Sequence, residues 1–167
     1  ELVRVPGPRP KATEALLAYL DANPGSVYAS HLWHPLFLEG VRTLAWEMAE
    51  QLGWRLPDWC VCPVGAGSIL LGLAWGFQDL VDAGVVDGPV PRLLAVQARN
   101  RSAVVDAFHG GASHVEASTT PGPPTLAEGI AVPAPVRDAE VLAALRRTDG
   151  AAVAVSEDDI VDGVRQL

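Results

Sequence analysis

Lysine is almost missing from this chain. Lys11 is the lone lysine beside eleven arginines in 167 residues, so chemistry that needs a lysine amine has a single candidate here. Cysteine is scarce as well, with Cys60 and Cys62 the whole complement. No second Cys or His pair stands at ligand spacing, so no metal site is expected and two small buried hydrophobes are the favoured reading. Free thiols of this kind fit a reducing cytoplasm. No apolar run approaches the length of a bilayer span, and no signal-peptide pattern opens the sequence. No basic block occurs, and the formal net charge of -8 disfavours nucleic acid and anionic membranes as partners. No internal repeat and no low-complexity segment is found.

What is present is a core. Hydrophobic residues make up 49% of the chain, which excludes a disordered one, and the length suffices for a domain with a real interior. The chain is organised around the run from Asp58 to Phe77, DWCVCPVGAGSILLGLAWGF. Trp59 to Val64 reads as a short apolar strand covered on both faces. Cys60 and Cys62, two apart, then share one side of it. Gly65-Ala66-Gly67 is a tight turn, Ser68 stands as the N-cap, and Ile69 to Leu80 follows as a helix apolar almost all round. A glycine turn before a helix start directs several backbone N–H groups at one spot. The helix dipole adds positive potential there, and the spot suits a phosphate. A plain strand-to-helix connection explains the same residues, and the local sequence leaves both readings open.

The dinucleotide and nucleoside triphosphate readings fail on particular positions. A Rossmann fingerprint needs glycine where Leu70 stands, and no acidic residue ends the following strand, Leu93 to Gln97, at the ribose-binding distance. No Gly-Lys-Ser/Thr follows the turn, which rules out a P-loop. A single phosphate on some other ligand remains.

Taken in order, Glu1 to Val5 is strand-like, Lys11 to Leu20 an amphipathic helix, and Ser26 to His31 another strand. His34-Pro35 interrupts the pattern. Leu38 to Leu52 is the clearest amphipathic helix, with Leu38, Val41, Leu44, Ala45, Met48 and Leu52 on one face and Gly53 behind it. Arg92 to Ala98 is a strand, Ala103 to His109 a helix, Ser113 to Ala117 a short strand, and Thr119 to Thr125 an irregular loop. Ala139 to Arg147 is a helix and Ala151 to Val155 a strand. Ser156 with Asp159 makes a capping-box-like start for one more helix. Alternating strands and helices predict an α/β fold with a mainly parallel, doubly wound sheet and helices on both faces. Ligands of such sheets sit beyond the carboxyl ends of the strands, where the Gly65 to Ser68 turn lies. His31, His34, His109 and His114 read as partly exposed polar residues, and the five tryptophans as core and interface.

The stretch from Ala29 to Ala98 resembles the large-domain segment of pyridoxal-phosphate (PLP) enzymes of the tryptophan-synthase-β-like fold, fold type II. It is most similar to the threonine-synthase-like branch. The carrying residues are Phe37-Leu38-Glu39-Gly40, Thr43, Glu47, Glu50-Gln51-Leu52-Gly53, Pro57-Asp58, Pro63-Val64-Gly65 and Val96-Gln97-Ala98. Thr125 to Arg137 resembles a later stretch of the same enzymes. The resemblance implies that Gly65, Ala66, Gly67 and Ser68 hold the phosphate of PLP and that Gly129 comes near the cofactor ring. Ala66 and Ser68 depart from a family loop that is usually richer in glycine, but backbone donation survives both changes. The resemblance also implies that residues 1–35 are a remnant of the small domain and 36–167 most of the large one. The Schiff-base lysine of the family lies upstream of this segment, and Lys11 does not match it, so no catalytic residue is expected within this internal fragment. The implied activity is that of a cytoplasmic lyase or synthase. Its substrate is an amino acid or phosphorylated amino acid, and it works as a homodimer or joined to the missing part of the chain. A serine/threonine dehydratase or ammonia-lyase is the alternative within enzymes. A non-catalytic subunit or interaction domain that keeps the scaffold is the alternative outside them.

Overall fold

The computed structural model describes residues 2–7, 9–30, 32–116, 122–133 and 135–167. The chain divides into two compact units, Glu1–Ser30 and His31–Leu167. The first holds helix α1, Arg9–Ala22, whose end is closed by Asn23 Nδ2 donating to Tyr19 O at 2.7 Å. Lys11 Nζ lies 2.7 Å from Glu14 Oε2 on its exposed surface. The strands expected over Glu1–Val5 and Ser26–His31 do not form in the described parts, residues 2–5 and 26–30. A strand exists only with a hydrogen-bonded neighbour, and apolar alternation supplies none. Glu1 and His31 themselves lie outside the described residues.

The second unit is built on three parallel strands in the order β1 (Trp59–Pro63), β2 (Arg92–Ala98) and β3 (Ala151–Val155). Cys62 pairs with Ala95, which pairs with Ala152. Helix α2 (Pro35–Gln51) precedes β1, and α3 (Ser68–Asp82) joins β1 to β2. A single 3-10 turn at Arg99–Arg101 and helix α4 (Ala103–His109) follow β2. A second 3-10 turn at Glu128–Ile130 and α5 (Asp138–Arg147) lead into β3, and α6 (Glu157–Gln166) ends the unit. This is the expected α/β architecture with a parallel sheet.

Residues of one sheet face, Cys60, Cys62, Leu93, Ala95, Gln97 and Ala152, are buried beneath the helices. On the other face Val61 is 60% exposed, Trp59 42% and Val153 39%. Of the two faces expected to be covered, the described residues cover one. The two thiols behave as packed groups: the neighbouring Cys60 thiol and burial push Cys62 far above its ordinary value, while the bond from Cys62 draws Cys60 down.

Helix α2 starts at Pro35, earlier than its apolar periodicity predicts, because proline is pre-set for a first helical position and His34 before it is extended. Helices α2 and α3 touch through glycine. A Cβ on Gly72 would run into Val41, and one on Gly76 into the Arg42 carbonyl and Ala45. At the edge of this contact Arg42 Nη1 lies 3.0 Å from Asp79 Oδ2, and its guanidinium is 5.1 Å from the Trp75 ring centre.

Two segments between α4 and α5 depart from expectation or fall outside the description. No strand forms at 113–116. The Val115 N–H donates instead to Asp138 Oδ2 at 2.7 Å, so its backbone is satisfied without a ladder. Ala117 lies outside the described residues, as do 119–121 of the expected Thr119–Thr125 loop, whose remaining residues 122–125 are irregular. Farther on, the expected capping box is present. Asp159 N donates to Ser156 Oγ at 3.1 Å and Ser156 N donates to Asp159 Oδ2 at 2.9 Å.

Candidate functional site

The carboxyl end of β1 turns sharply. Val64 N donates to Val96 O at 2.9 Å, which extends the ladder one residue past the strand. Gly65 follows in close contact: a Cβ there would stand 3.0 Å from Ile130 Cα and 3.2 Å from Val132 Cγ2. Gly67 has φ +84, and a Cβ on it would meet Val141 of α5. Both glycines are therefore required, Gly65 by the approach of another backbone and Gly67 also by its left-handed conformation.

That conformation corrects the expected cap. Gly67, not Ser68, is the N-cap of α3, and Ser68 is the first helical residue. Serine is the better capping side chain, but the turn needs a left-handed residue, and glycine takes that position without strain. The first bond of the helix is Leu71 N donating to Gly67 O at 3.0 Å. The N–H groups of Ser68, Ile69 and Leu70 come before it, and no side chain caps them. Gly67 and Leu70 are buried, so these donors open onto a sheltered helix start. Such an end offers the geometry and the potential that suit an anion.

The segment 122–132 reaches the turn at Ile130 and Val132 and is tied down at several points. Leu126 N donates to Glu157 Oε2 at 2.8 Å, Asn100 Nδ2 to Pro124 O at 2.9 Å, and Arg101 Nη2 to Gly122 O at 2.8 Å. These ties bring Ile130 and Val132 onto Gly65. Gly129 itself is exposed in the Glu128–Ile130 turn with open space around its Cα, so its neighbours, rather than Gly129, touch the turn. The four turn residues 65–68 and the 128–132 segment are thus brought together at one end of the sheet.

Gln97, 1% exposed and next to the turn, is not among the candidate residues the sequence points to. Its Nε2 donates to Val64 O at 3.0 Å, and its Oε1 accepts from Val104 N at 2.9 Å and Val105 N at 3.2 Å. The signal was present: a lone amide in the apolar run Leu93-Leu94-Ala95-Val96-Gln97-Ala98 must find partners when buried. Ile130 and Val132 left no such signal.

The histidines do not converge among the described residues. His109 Nε2 is 2.9 Å from Ala152 O, His114 Nδ1 is 3.3 Å from Asp138 Oδ2, and His34 precedes α2. No group of three or more His, Cys, Asp or Glu among the described residues could hold a metal ion. No helix there is long and apolar enough to cross a membrane. Asp138 is shifted by competing causes. Burial raises it, but the Val115 and Ala139 N–H groups and the His114 ring outweigh burial and hold the carboxyl below its ordinary value.

Comparisons with known proteins meet this geometry. A threonine synthase of Methanocaldococcus jannaschii is 30% identical over 141 residues, 84% of this chain and 34% of its own length. An L-threonine ammonia-lyase of Thermotoga maritima is 28% identical over 156 residues, 92% of this chain and 34% of its own length. The chain spans about a third of the length of these curated relatives. Among solved structures, maize serine racemase superposes with a TM-score of 0.76 at 16% identity, over 99% of this chain and 45% of that one. The fold is therefore that of part of such proteins. The model of the family described as "Pyridoxal-phosphate dependent enzyme" matches residues 1–167. Homology across the whole chain, together with an uncapped helix start at the end of a parallel strand, leads to one conclusion: this chain belongs to the pyridoxal-phosphate dependent enzymes.

Proposed function

We propose that this chain is the phosphate-binding part of a PLP-dependent lyase or synthase of the threonine-synthase-like kind, acting on an amino acid or a phosphorylated amino acid by elimination or replacement. The observation that carries the proposal is the start of α3, where the N–H groups of Ser68, Ile69 and Leu70 have neither a helical partner nor a capping side chain. A phosphate is the anion that such a cradle takes, and a family cofactor carries one. The amides of the Gly65-Ala66-Gly67-Ser68 turn bind and orient the phosphate, and the Ser68 hydroxyl can add a further bond. The segment that includes Gly129 closes the same end of the sheet, and its apolar Ile130 and Val132 exclude water from the Gly65 side. When bound, PLP supplies the electron sink for charge developing on the substrate carbon.

The chain does not offer the lysine that the family's chemistry needs. Lys11 is exposed and paired with Glu14 in the first unit, and residues 31–167 contain no lysine. We assign the reactive lysine to a part of the protein outside these residues, with 1–35 as small-domain remnant and 36–167 as large domain. The one-third coverage of the relatives supports that assignment. A cytoplasmic protein working as a dimer, or joined to that further part, is the matching whole. The ammonia-lyase relative favours a dehydratase as second reading within enzymes. The lone lysine favours a scaffold without catalysis as the reading outside them.

The test is visible absorbance of the purified protein with PLP, then borohydride reduction and peptide mapping. A pyridoxyl group fixed to a lysine outside residues 1–167 is the expected result. One fixed to Lys11 overturns the lysine assignment. Cofactor that binds with no fixed lysine selects the scaffold reading. No cofactor binding overturns the turn as its site.

A further inference from the structure

Gln97 does what no other side chain among the described residues does. It is a buried amide that joins three segments at the carboxyl end of the sheet. Two of its partners, Val104 N–H and Val105 N–H, can only donate, so Oε1 faces α4. Val64 O can only accept, so Nε2 faces β1. The chemistry of the partners thus fixes the orientation of the amide.

The position of Val64 gives this clamp its consequence. Val64 is the last residue before the glycine turn. Its N–H is held by Val96 O at 2.9 Å and its carbonyl by Gln97 at 3.0 Å. The Val64 carbonyl and the Gly65 N–H belong to one planar trans peptide, so holding the oxygen aims the Gly65 N–H in the opposite direction. On the far side Ile130 and Val132 press on Gly65. The first donor of the turn is set before any ligand arrives.

We infer that Gln97 is a positioning residue of the phosphate turn: through Val64 O it presets the Gly65 peptide and couples the turn to the start of α4. The inference rests on reading residues 65–68 as the phosphate site. It explains why an amide is needed. An ionised glutamate could accept from α4 but could not donate to Val64 O, a protonated one could do both, and a methionine could not donate and would accept only weakly. A preset site binds more tightly because less order must be created on binding.

The test is a titration of the isotope-labelled protein with inorganic phosphate, followed by nuclear magnetic resonance. The backbone amides of Gly65, Gly67 and Ser68 are expected to shift together with the Gln97 side-chain amide and the Val104 and Val105 amides, on one binding curve. If the turn shifts while Gln97 and α4 stay silent, the inference is overturned and the phosphate reading stands. If the turn itself does not respond, the phosphate reading fails, and this inference with it. The variants give an independent readout. Gln97→Met is expected to weaken phosphate binding about tenfold at every pH, the factor that one lost buried hydrogen bond can carry. Gln97→Glu is expected to be weak near neutral pH and to recover towards the wild type, measured at the same pH, as its buried carboxyl takes up a proton. Folded variants that bind phosphate as the wild type does would overturn the inference. If the variants do not fold, the wild-type titration decides.

Discussion

Gly65 and Ile130, far apart in sequence, are in backbone contact: a Cβ on Gly65 would stand 3.0 Å from Ile130 Cα and 3.3 Å from Ile130 O. A backbone neighbour cannot swing aside as a flexible side chain can. Gly65→Ala is therefore expected to push the 128–132 segment away from the turn, at a cost of about 1–3 kcal/mol in stability. Gly67→Ala adds a left-handed alanine to a collision with Val141, and should cost about 2–4 kcal/mol. Chemical denaturation ranks the two, and both should lose affinity for PLP more than affinity for pyridoxal, which has no phosphate. Equal losses for the two ligands would separate the turn from the phosphate.

The α2–α3 contact carries a different kind of prediction. Arg42 Nη1 reaches both oxygens of Asp79, at 3.0 and 3.2 Å, while the guanidinium lies over Trp75. Arg42 is largely covered and Asp79 more exposed, so solvent screens the pair and its coupling should be modest, about 0.5–1 kcal/mol. Arg42→Ala also strips packing from Trp75 and should cost more than Asp79→Ala. A double-mutant cycle measures the coupling, and a value indistinguishable from zero would assign the effect of Arg42 to its packing on Trp75 and its 3.2 Å pair with Glu39.

Asp138 gives the unit a pH dependence of known sign. Its folded carboxyl is held below the ordinary value of 3.8 although burial opposes this, because the Val115 and Ala139 N–H groups and the His114 ring favour the charged form. Between that lowered value and 3.8 the unfolded chain binds more protons than the folded one. The contribution of Asp138 is therefore complete above about pH 4 and is lost as pH falls through the folded value. The stability difference between wild type and Asp138→Asn should be about 1 kcal/mol near neutral pH and shrink below pH 4. Asp159, held low by the Ser156 hydroxyl and N–H, titrates in the same acid range, so the wild-type-minus-variant difference, not the wild-type curve alone, isolates Asp138.

Local signals made much of this fold legible in the sequence. Arg92–Ala98 and Ala151–Val155 are bounded by turn residues and fall where the apolar runs place them. The Ser156–Asp159 box is a contact between residues three apart, so both halves are visible in one window. The misses have non-local causes. Residues 2–5 and 26–30 have strand-like composition but no partner strand, and no window of sequence contains the partner. Ser68 satisfied capping preference, yet the backbone sign at Gly67 decided the cap. At the candidate site, the Gly65 to Ser68 turn was legible because turn and helix start are contiguous. Ile130 was not, because only the folded chain brings residue 130 to residue 65.

The tether of Glu157 shows how the last helix can influence the turn without touching it. Glu157 Oε2 accepts the Leu126 N–H at 2.8 Å, and Oε1 accepts from Asn100 Nδ2 at 3.3 Å, so one carboxylate holds the 122–132 segment to the start of α6. Glu157→Ala removes both bonds and leaves the Leu126 N–H to water. Because Leu126 is exposed, the global cost should be only about 1 kcal/mol. The local effect should be larger: amide exchange in 124–132 should accelerate several-fold while that of β2 is unchanged, because local opening requires only this segment to leave. Glu157→Gln keeps an oxygen that can accept from Leu126 and should fall between wild type and alanine. Since Ile130 and Val132 reach Gly65 from this segment, the order of exchange rates should also be the order of weakening PLP affinity. Faster exchange with unchanged affinity would show that the segment covers the turn without helping it bind.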